Sequence, residues 1–387
     1  MLTTLGISNY RSLRDLVIPL KHLNVITGPN GSGKSNLYRA LRLLADTAQG
    51  RIITSVAREG GLQSTLWAGP ESLSREMRNG EQPVQGTRRK HPVCLRLGFA
   101  SDEFGYLIDM GLPQPGSSAF GLDPEIKREL IWHGSIPRPS TTLVDRNHCV
   151  VRVKDSEKGW NVVTHNLATF DSMMTHIADP RSAAETLALR ESIRAWRFYD
   201  HFRTDHASPA RVPQVGTRTP VLADDGADLA AAMQTIREIG DSAALDRAVA
   251  DAFPAARVRV EVDSGRFTLA MEQHGMLRPL QASELSDGTL RYLLWVAALL
   301  TPRPPSLIVL NEPETSLHPD LLEALGRLIG QASRRSQVIV VTHSAALLSS
   351  LAHESEYHPI TLEKKLGETS IAGMRDLDRP EWRWPAR

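Results

Sequence analysis

Gly28-Pro29-Asn30-Gly31-Ser32-Gly33-Lys34-Ser35-Asn36 decides how the rest of this chain is read. The apolar run Leu23 to Ile26 precedes it and the helical pattern Leu37 to Leu44 follows, so a strand, a glycine-rich turn and a helix come in succession. Glycines let the backbone bend until consecutive N–H groups face an anion, and a helix beginning near Gly33 adds the positive end of its dipole. Lys34 then reaches the β- and γ-phosphates, and the Ser35 hydroxyl takes one position around Mg²⁺. The full G-x-x-x-x-G-K-S pattern in this context predicts a nucleotide-binding loop.

Upstream, Leu2 to Ile7 and Leu16 to Leu20 read as a hairpin or edge sheet leading into the loop strand. Between them, Arg11 carries a charge suited to phosphate, and it reads equally well as a surface arginine in a turn. Downstream, Gln63 reads as structural, and the polar stretch Glu71 to His91 as a mobile loop or extended connection. Short strand patterns follow at Val93 to Phe99, Phe104 to Met110, Ile126 to Trp132, Thr142 to Val144, Val150 to Val153 and Asn161 to Val163. They predict a mixed or antiparallel sheet. Arg96, Lys127, Arg128, Arg138 and Arg146 along them lack the aromatic interleaving of a single-strand groove and read individually as a solvated face.

From Pro180 to Phe202 the pattern turns helical, with Ala183, Ala184, Leu187, Ile193, Trp196 and Tyr199 near helical spacing. A proline-rich loop from Arg203 to Pro220, helices at Ala227 to Ile239 and Ser242 to Phe253, and a hairpin turning at Asp263-Ser264-Gly265 come next. No heptad pattern persists, which excludes a long coiled coil.

The distant half of the site begins with Ser283-Glu284-Leu285-Ser286-Asp287-Gly288-Thr289 at the start of an apolar helix. This segment reads either as a simple N-cap or as a donor of hydroxyl and N–H groups to an anion. Leu307-Ile308-Val309-Leu310-Asn311-Glu312-Pro313 is a buried-strand pattern ending in polar side chains, where phosphate-loop enzymes orient metal-bound and attacking water. Glu312 is the general-base candidate; Asn311 offers an amide oxygen to Mg²⁺ without a charge. Glu314, Ser316 and His318 continue along a turn, and Pro319 opens the next helix. The strand Gln337 to Val341 ends at Thr342-His343-Ser344, where His343 either hydrogen-bonds a γ-phosphate or water or is a capped structural histidine. Lys34, Glu312 and His343 are expected to converge at one sheet edge.

Composition narrows the alternatives. The 387 residues carry 45 basic and 44 acidic side chains, a formal charge of +1 that argues for no global nucleic-acid field. Cys94 and Cys149 have no metal or redox spacing, which fits a reducing cytoplasm. The N-terminal residues lack a secretory pattern and no stretch is long and apolar enough to span a membrane, so neither secretion nor a membrane is expected.

Together these motifs resemble the ATP-binding-cassette ATPases of the RecF, SMC and OLD group, in the subgroup of stand-alone AAA-like bacterial ATPases. The resemblance rests on Ser8 through Ser12, Gly28 through Asn36, Leu285 through Thr289, Leu310 through Pro319 and Val341-Thr342-His343, with a linker-like stretch at Leu222 to Ala230. It implies an α/β P-loop NTPase fold of the ATPase-head type, mixed sheets with an inserted mostly helical lobe. The expected divisions are residues 1–165, 166–255 and 256–387. It also implies that Arg11, Asn30, Gly31, Ser32, Gly33, Lys34, Ser35 and Asn36 bind ATP, with Ser35 and Asn311 serving Mg²⁺. Lys34, Glu312 and His343 are the expected catalytic residues, and Ser286 and Gly288 would contact ATP held by a second copy. Asn311 stands where the group usually has aspartate, which predicts slow hydrolysis. Only 44 residues follow His343, too few for the nuclease domain of the OLD relatives. The expectation is therefore a cytoplasmic Mg²⁺-dependent ATPase whose ATP-dependent homodimer works in DNA repair, chromosome maintenance or defence against foreign DNA. DNA or a separate nuclease is the implied partner. The alternative is a slow ATP-operated interaction module that gates a separate effector protein.

Overall fold

The computed structural model describes residues 1–387 apart from 72–73, 80, 82–93, 115, 117, 156–158, 178–182 and 386–387. The chain opens with β1 (Leu2–Tyr10), β2 (Leu13–Pro19) and β3 (Leu23–Thr27), followed by α1 (Lys34–Thr47), α2 (Ile52–Arg58), α3 (Leu62–Thr65) and α4 (Arg75–Asn79). Then come β4 (Leu95–Ser101), β5 (Phe104–Gly111), β6 (Glu125–His133), β7 (Thr142–Asn147), β8 (Val150–Asp155) and β9 (Gly159–Thr164). The next elements are α5 (Met173–His176), α6 (Ala184–Arg194), β10 (Arg197–Tyr199), β11 (Gln214–Val215), α7 (Leu229–Ile239) and α8 (Ser242–Ala252). They lead to β12 (Arg257–Asp263), β13 (Arg266–Glu272), β14 (Leu280–Gln281), α9 (Asp287–Leu299), β15 (Leu307–Asn311) and α10 (Asp320–Ser333). The chain finishes with β16 (Gln337–Val341), α11 (Ala345–Glu354), β17 (His358–Lys365) and β18 (Glu368–Ile371).

These elements gather into two compact units, Met1–Lys21 with Thr27–Ala195 and Ile360–Arg387, and His22–Ile26 with Trp196–Pro359. In the first, an antiparallel sheet runs β2-β1-β4-β5-β6-β7-β8-β9. Helix α1 packs on β1 and β4, burying Leu37, Leu41 and Leu44. Trp382 lies against Gly6 and Gly98 so closely that a Cβ on Gly6 would stand 2.5 Å from the indole. Glycine there is a packing requirement.

In the second unit, β10, β15, β16 and β3 form a parallel sheet in that order. Leu307 to Leu310 and Val338 to Val341 are buried throughout, the near-continuous apolar run that a parallel strand covered on both faces requires. Helices α7, α8, α9 and α10 and the β12–β13 hairpin pack in one core around Trp295, Leu293 and Met233. Burying each such side chain is worth roughly 1.5–3 kcal/mol. The architecture is thus mixed α/β with several sheets and helical insertions, as the sequence predicts.

Two local expectations change. The helical pattern read through Trp196 and Tyr199 stops at Arg194, and Arg197–Tyr199 is a strand. Apolar residues at 193, 196 and 199 fit a helix, but parallel pairing of β10 with Ile308, Val309 and Leu310 buries Phe198 and Tyr199 on an adjoining strand and overrides local periodicity. The stretch Glu71 to His91 contains the short helix α4, while 72–73, 80 and 82–91 lie outside the described residues, as does Val93. No helix among the described residues is long and apolar enough to cross a membrane.

Candidate functional site

The glycine loop belongs to the first unit. Gly28, Gly31 and Gly33 take φ of +145°, +79° and +109°, values that cost a side-chain-bearing residue strain. Lys34 is the first residue of α1. Its Nζ donates to the Gly28 carbonyl at 2.6 Å and the Pro29 carbonyl at 3.2 Å, which holds the ammonium against the inner side of the loop. Ser35, Gly31 and Asn30 are exposed. Ser32 Oγ is buried with no hydrogen-bond partner among the described residues, a donor that a phosphate oxygen would satisfy. Thr369 Oγ1 donates to the Ser32 carbonyl at 2.7 Å and stands 2.7 Å from Ser12 Oγ, while Asn36 Nδ2 donates to that Ser12 oxygen at 2.9 Å. Asn36 therefore serves the base of the loop in this structure. Thr369, 337 residues away from Ser32, had no signal in the sequence.

Arg11 sits in a left-handed turn, φ +49°, and its guanidinium pairs with Glu59 at 2.7 Å. Tyr10 donates its hydroxyl to the same carboxylate at 2.7 Å. Burial, and then Glu59, push the Tyr10 phenol well above its ordinary range. To reach a phosphate, Arg11 must first leave Glu59. Gln63 lies exposed on α3.

In the second unit the ends of three parallel strands are level: Asn311 pairs with Val341, and Val341 with Ile26. The glycine loop leaves the chain two residues after Ile26, Glu312 directly follows Asn311, and His343 follows Val341 by two. Glu312 takes φ +48°, a conformation costing about 1–3 kcal/mol for a residue with a side chain. Its N–H donation to the Val341 carbonyl at 2.8 Å holds it there. His343 Nδ1 lies 3.7 Å from Glu312 Oε1 and 3.5 Å from Glu314 Oε1. Glu314 is buried; Oε1 accepts from Thr342 Oγ1 at 2.5 Å and from the His343 N–H at 3.1 Å. Beside this pair, Asn311 Nδ2 donates to Asp200 Oδ1 at 2.5 Å. Glu314 was visible in the sequence only as a turn residue, and Asp200 carried no motif.

Ser286 is the N-cap of α9, its Oγ accepting from the Thr289 N–H at 3.1 Å. The N-cap reading therefore holds, and Ser286 is exposed with Gly288 half-exposed beside it. Arg211 fastens the segment from behind, donating to the carbonyls of Ala282 and Leu285 at 2.9 and 2.7 Å and to Asp287 Oδ1 at 2.7 Å. Arg291 on α9 reaches the Thr315 carbonyl at 2.8 Å and the Phe202 carbonyl at 3.1 Å. One guanidinium thus ties the segment after Glu312 to the segment after Asp200.

The described residues contain no group of three or more His, Cys, Asp or Glu able to hold a metal by themselves. The basic residues read along the strands are paired: Arg96 with Asp109 at 3.0 Å, Lys127 with Glu125, Arg128 with Asp145 at 3.3 Å, and Arg146 with Glu129 at 2.6 Å. Arg146 and Glu129 are fully buried, so this arginine is structural and the solvated-face reading fails for it. Trp196, Phe198 and Tyr199 are buried packing residues.

No curated protein matches the chain. Among solved structures, the chain is similar to an SMC head bound to the C-winged helix domain of ScpA, at 14% identity over 96% of both chains with a TM-score of 0.50. It is also similar to the SMC head domain from Thermotoga maritima, at 15% identity over 97% of this chain and 99% of that one, with a TM-score of 0.46. The first likeness shows the fold alone, that of an SMC-type ATPase head. A family described as "AAA domain, putative AbiEii toxin, Type IV TA system" matches residues 23–349. With most of its length matched, the chain belongs to this AAA-domain family.

Proposed function

We propose that the chain is a Mg²⁺-dependent ATPase of the RecF, SMC and OLD type that works as an ATP-dependent pair of copies. The observation that supports this reading best is the level register of β15, β16 and β3, from whose ends Glu312, His343 and the glycine loop depart. The backbone N–H groups of Gly31 to Ser35, with Lys34, hold the phosphates. Ser35 and Asn311 would hold the metal, which when bound offsets phosphate charge. Glu312 orients the attacking water and takes its proton as the water oxygen bonds to the γ-phosphorus; the bond to the bridging oxygen breaks and its electron pair leaves with ADP. His343, braced by Glu314, donates toward the γ-phosphate. Ser286 and Gly288 face outward for ATP held by a second copy, with Asn30 and Asn36 at the loop's rim and base.

DNA repair, chromosome maintenance or defence against foreign DNA is the setting this reading favours. The pairing of Arg96, Lys127, Arg128 and Arg146 with carboxylates removes four cations from any DNA-binding strip and supports a second reading, a slow module that gates a separate effector. The mass in solution of the Glu312→Gln protein, measured with no nucleotide, with ADP and with ATP, tests the pair. A dimer formed with ATP alone and abolished by Ser286→Arg is expected; a constant monomer that demonstrably binds ATP rejects it. Lys34→Ala should lower ATP affinity roughly 10–100-fold, the worth of its charge-assisted hydrogen bonds. Turnover stimulated by DNA favours the first setting, and ATP-dependent capture of a protein without a DNA effect favours the second.

A further inference from the structure

We infer that Asp200 supplies the charge that Asn311 lacks, so that an aspartate and an asparagine on neighbouring strand tips act together on the nucleotide's Mg²⁺. The inference rests on the ATPase reading and extends it to a residue outside every motif of the sequence.

The parallel register of β10 and β15 pairs Tyr199 with Leu310, so the next residues, Asp200 and Asn311, stand side by side where the strands end. Their side chains meet at 2.5 Å, Nδ2 to Oδ1. An ionised carboxylate only accepts hydrogen bonds, so the asparagine must turn its NH₂ toward Asp200 and its Oδ1 away. The orientation of the amide, ambiguous for an isolated asparagine, is thereby set by its partner. Both groups have open access, Asp200 exposed and Asn311 partly so. Asp200 Oδ2 makes no hydrogen bond among the described residues, which leaves one carboxylate oxygen beside the amide oxygen. A charge-assisted donor bond of this kind also polarises the amide, raising the electron density on Asn311 Oδ1.

Two nearby arginines are engaged elsewhere. Arg203, three residues on, is held by Asp205 at 2.6 Å. Arg291 is turned toward the Phe202 carbonyl and Thr204 Oγ1, each at 3.1 Å, and fixes the segment that follows Asp200. What the site presents is therefore an oriented amide oxygen with a carboxylate directly behind it. Mg²⁺ favours such hard oxygen ligands and holds its waters through a nearby charge. A mere staple between strand tips is the competing account, but those strands are already joined by their backbone ladder.

The test uses the full chain carrying Glu312→Gln, so that ATP is not consumed. ATP affinity is measured in EDTA, and Mg²⁺ affinity is measured by titration into the ATP complex, with Mn²⁺ electron paramagnetic resonance as a direct readout. Asp200→Asn should weaken Mg²⁺ binding about 10-fold or more, leaving metal-free ATP affinity and the unfolding midpoint unchanged. The exchange variant Asp200→Asn with Asn311→Asp keeps one acid, one amide and their hydrogen bond, and should restore Mg²⁺ affinity to within about 3-fold of the parent. Unchanged Mg²⁺ affinity in Asp200→Asn, or an exchange variant that folds but stays as weak as Asp200→Asn, overturns the inference while the ATPase reading stands. A parent that binds no ATP at all overturns both.

Discussion

Glu314 Oε1 accepts the backbone N–H of His343 at 3.1 Å and lies 3.5 Å from the Nδ1 of the same residue's ring. A buried carboxylate in the turn after β15 thus holds the histidine at the end of β16 by both its backbone and its ring. The ring is itself half-exposed, and its position depends on a neighbour that sees little solvent.

Removing that carboxylate should separate binding from turnover. Glu314→Ala leaves the Thr342 hydroxyl and the His343 N–H without their acceptor, a cost of about 1–3 kcal/mol in stability. ATP binding should persist while turnover falls at least 10-fold, roughly the effect of losing one positioned proton donor or acceptor. Glu314→Gln retains an acceptor and should recover most of the stability. Denaturant unfolding together with single-turnover hydrolysis checks both halves; equal turnover in Glu314→Ala and wild type rejects the positioning role.

Arg211 and the segment before α9 make a second prediction. Its guanidinium donates to four carbonyls, those of Thr204, Ala282, Ser283 and Leu285, and pairs with Asp287. Arg211→Ala should cost about 3 kcal/mol through the buried carbonyls left unpaired. At temperatures where the variant is still folded, ATP should bind as in wild type but fail to drive pairing of copies, because Ser286 is no longer presented in one geometry. Light scattering with ATP in a Glu312→Gln background reads this, and a variant that still pairs shows that the segment orders itself.

A pH dependence follows from Asp228, whose Oδ1 accepts the Ala223 N–H at 3.0 Å just before α7. Burial pushes this carboxyl above the ordinary aspartate value, against the hydrogen bonds that pull it down. The native state therefore holds the proton more tightly than the unfolded chain does. Stability from this group falls as pH rises from the ordinary aspartate value through the raised one, and is level above it. Asp228→Asn, which keeps an acceptor for Ala223, should be more stable than wild type at pH 7, with the difference shrinking as pH falls through that window. Thermal midpoints across pH measure it; a difference that does not change with pH shows that burial of the charge contributes nothing.

Some of the site was legible because its chemistry is local. The glycine loop shows itself in consecutive residues, since only glycine takes φ of +109° cheaply at position 33. The apolar runs ending at Asn311 and Val341 likewise announce buried parallel strands with polar tips. Other parts had no local signal. Trp196 to Tyr199 matches a helix until β15 pairs with it, and Arg146 looks like surface charge until Glu129 is found beside it in the interior.

By itself, then, the sequence determined a glycine-rich turn between a strand and a helix, two strand ends with Glu312 and His343, and a helix start at Ser286, because each depends on residues that are neighbours in the chain. Only the tertiary structure decided that Asp200 stands against Asn311, that Glu314 braces His343, that Thr369 closes the loop's base and that Arg211 backs Ser286. Asp200 and Asn311 are 111 residues apart. Strand order and register bring them together, and a single hydrogen bond across that separation leaves no periodic trace in the chain.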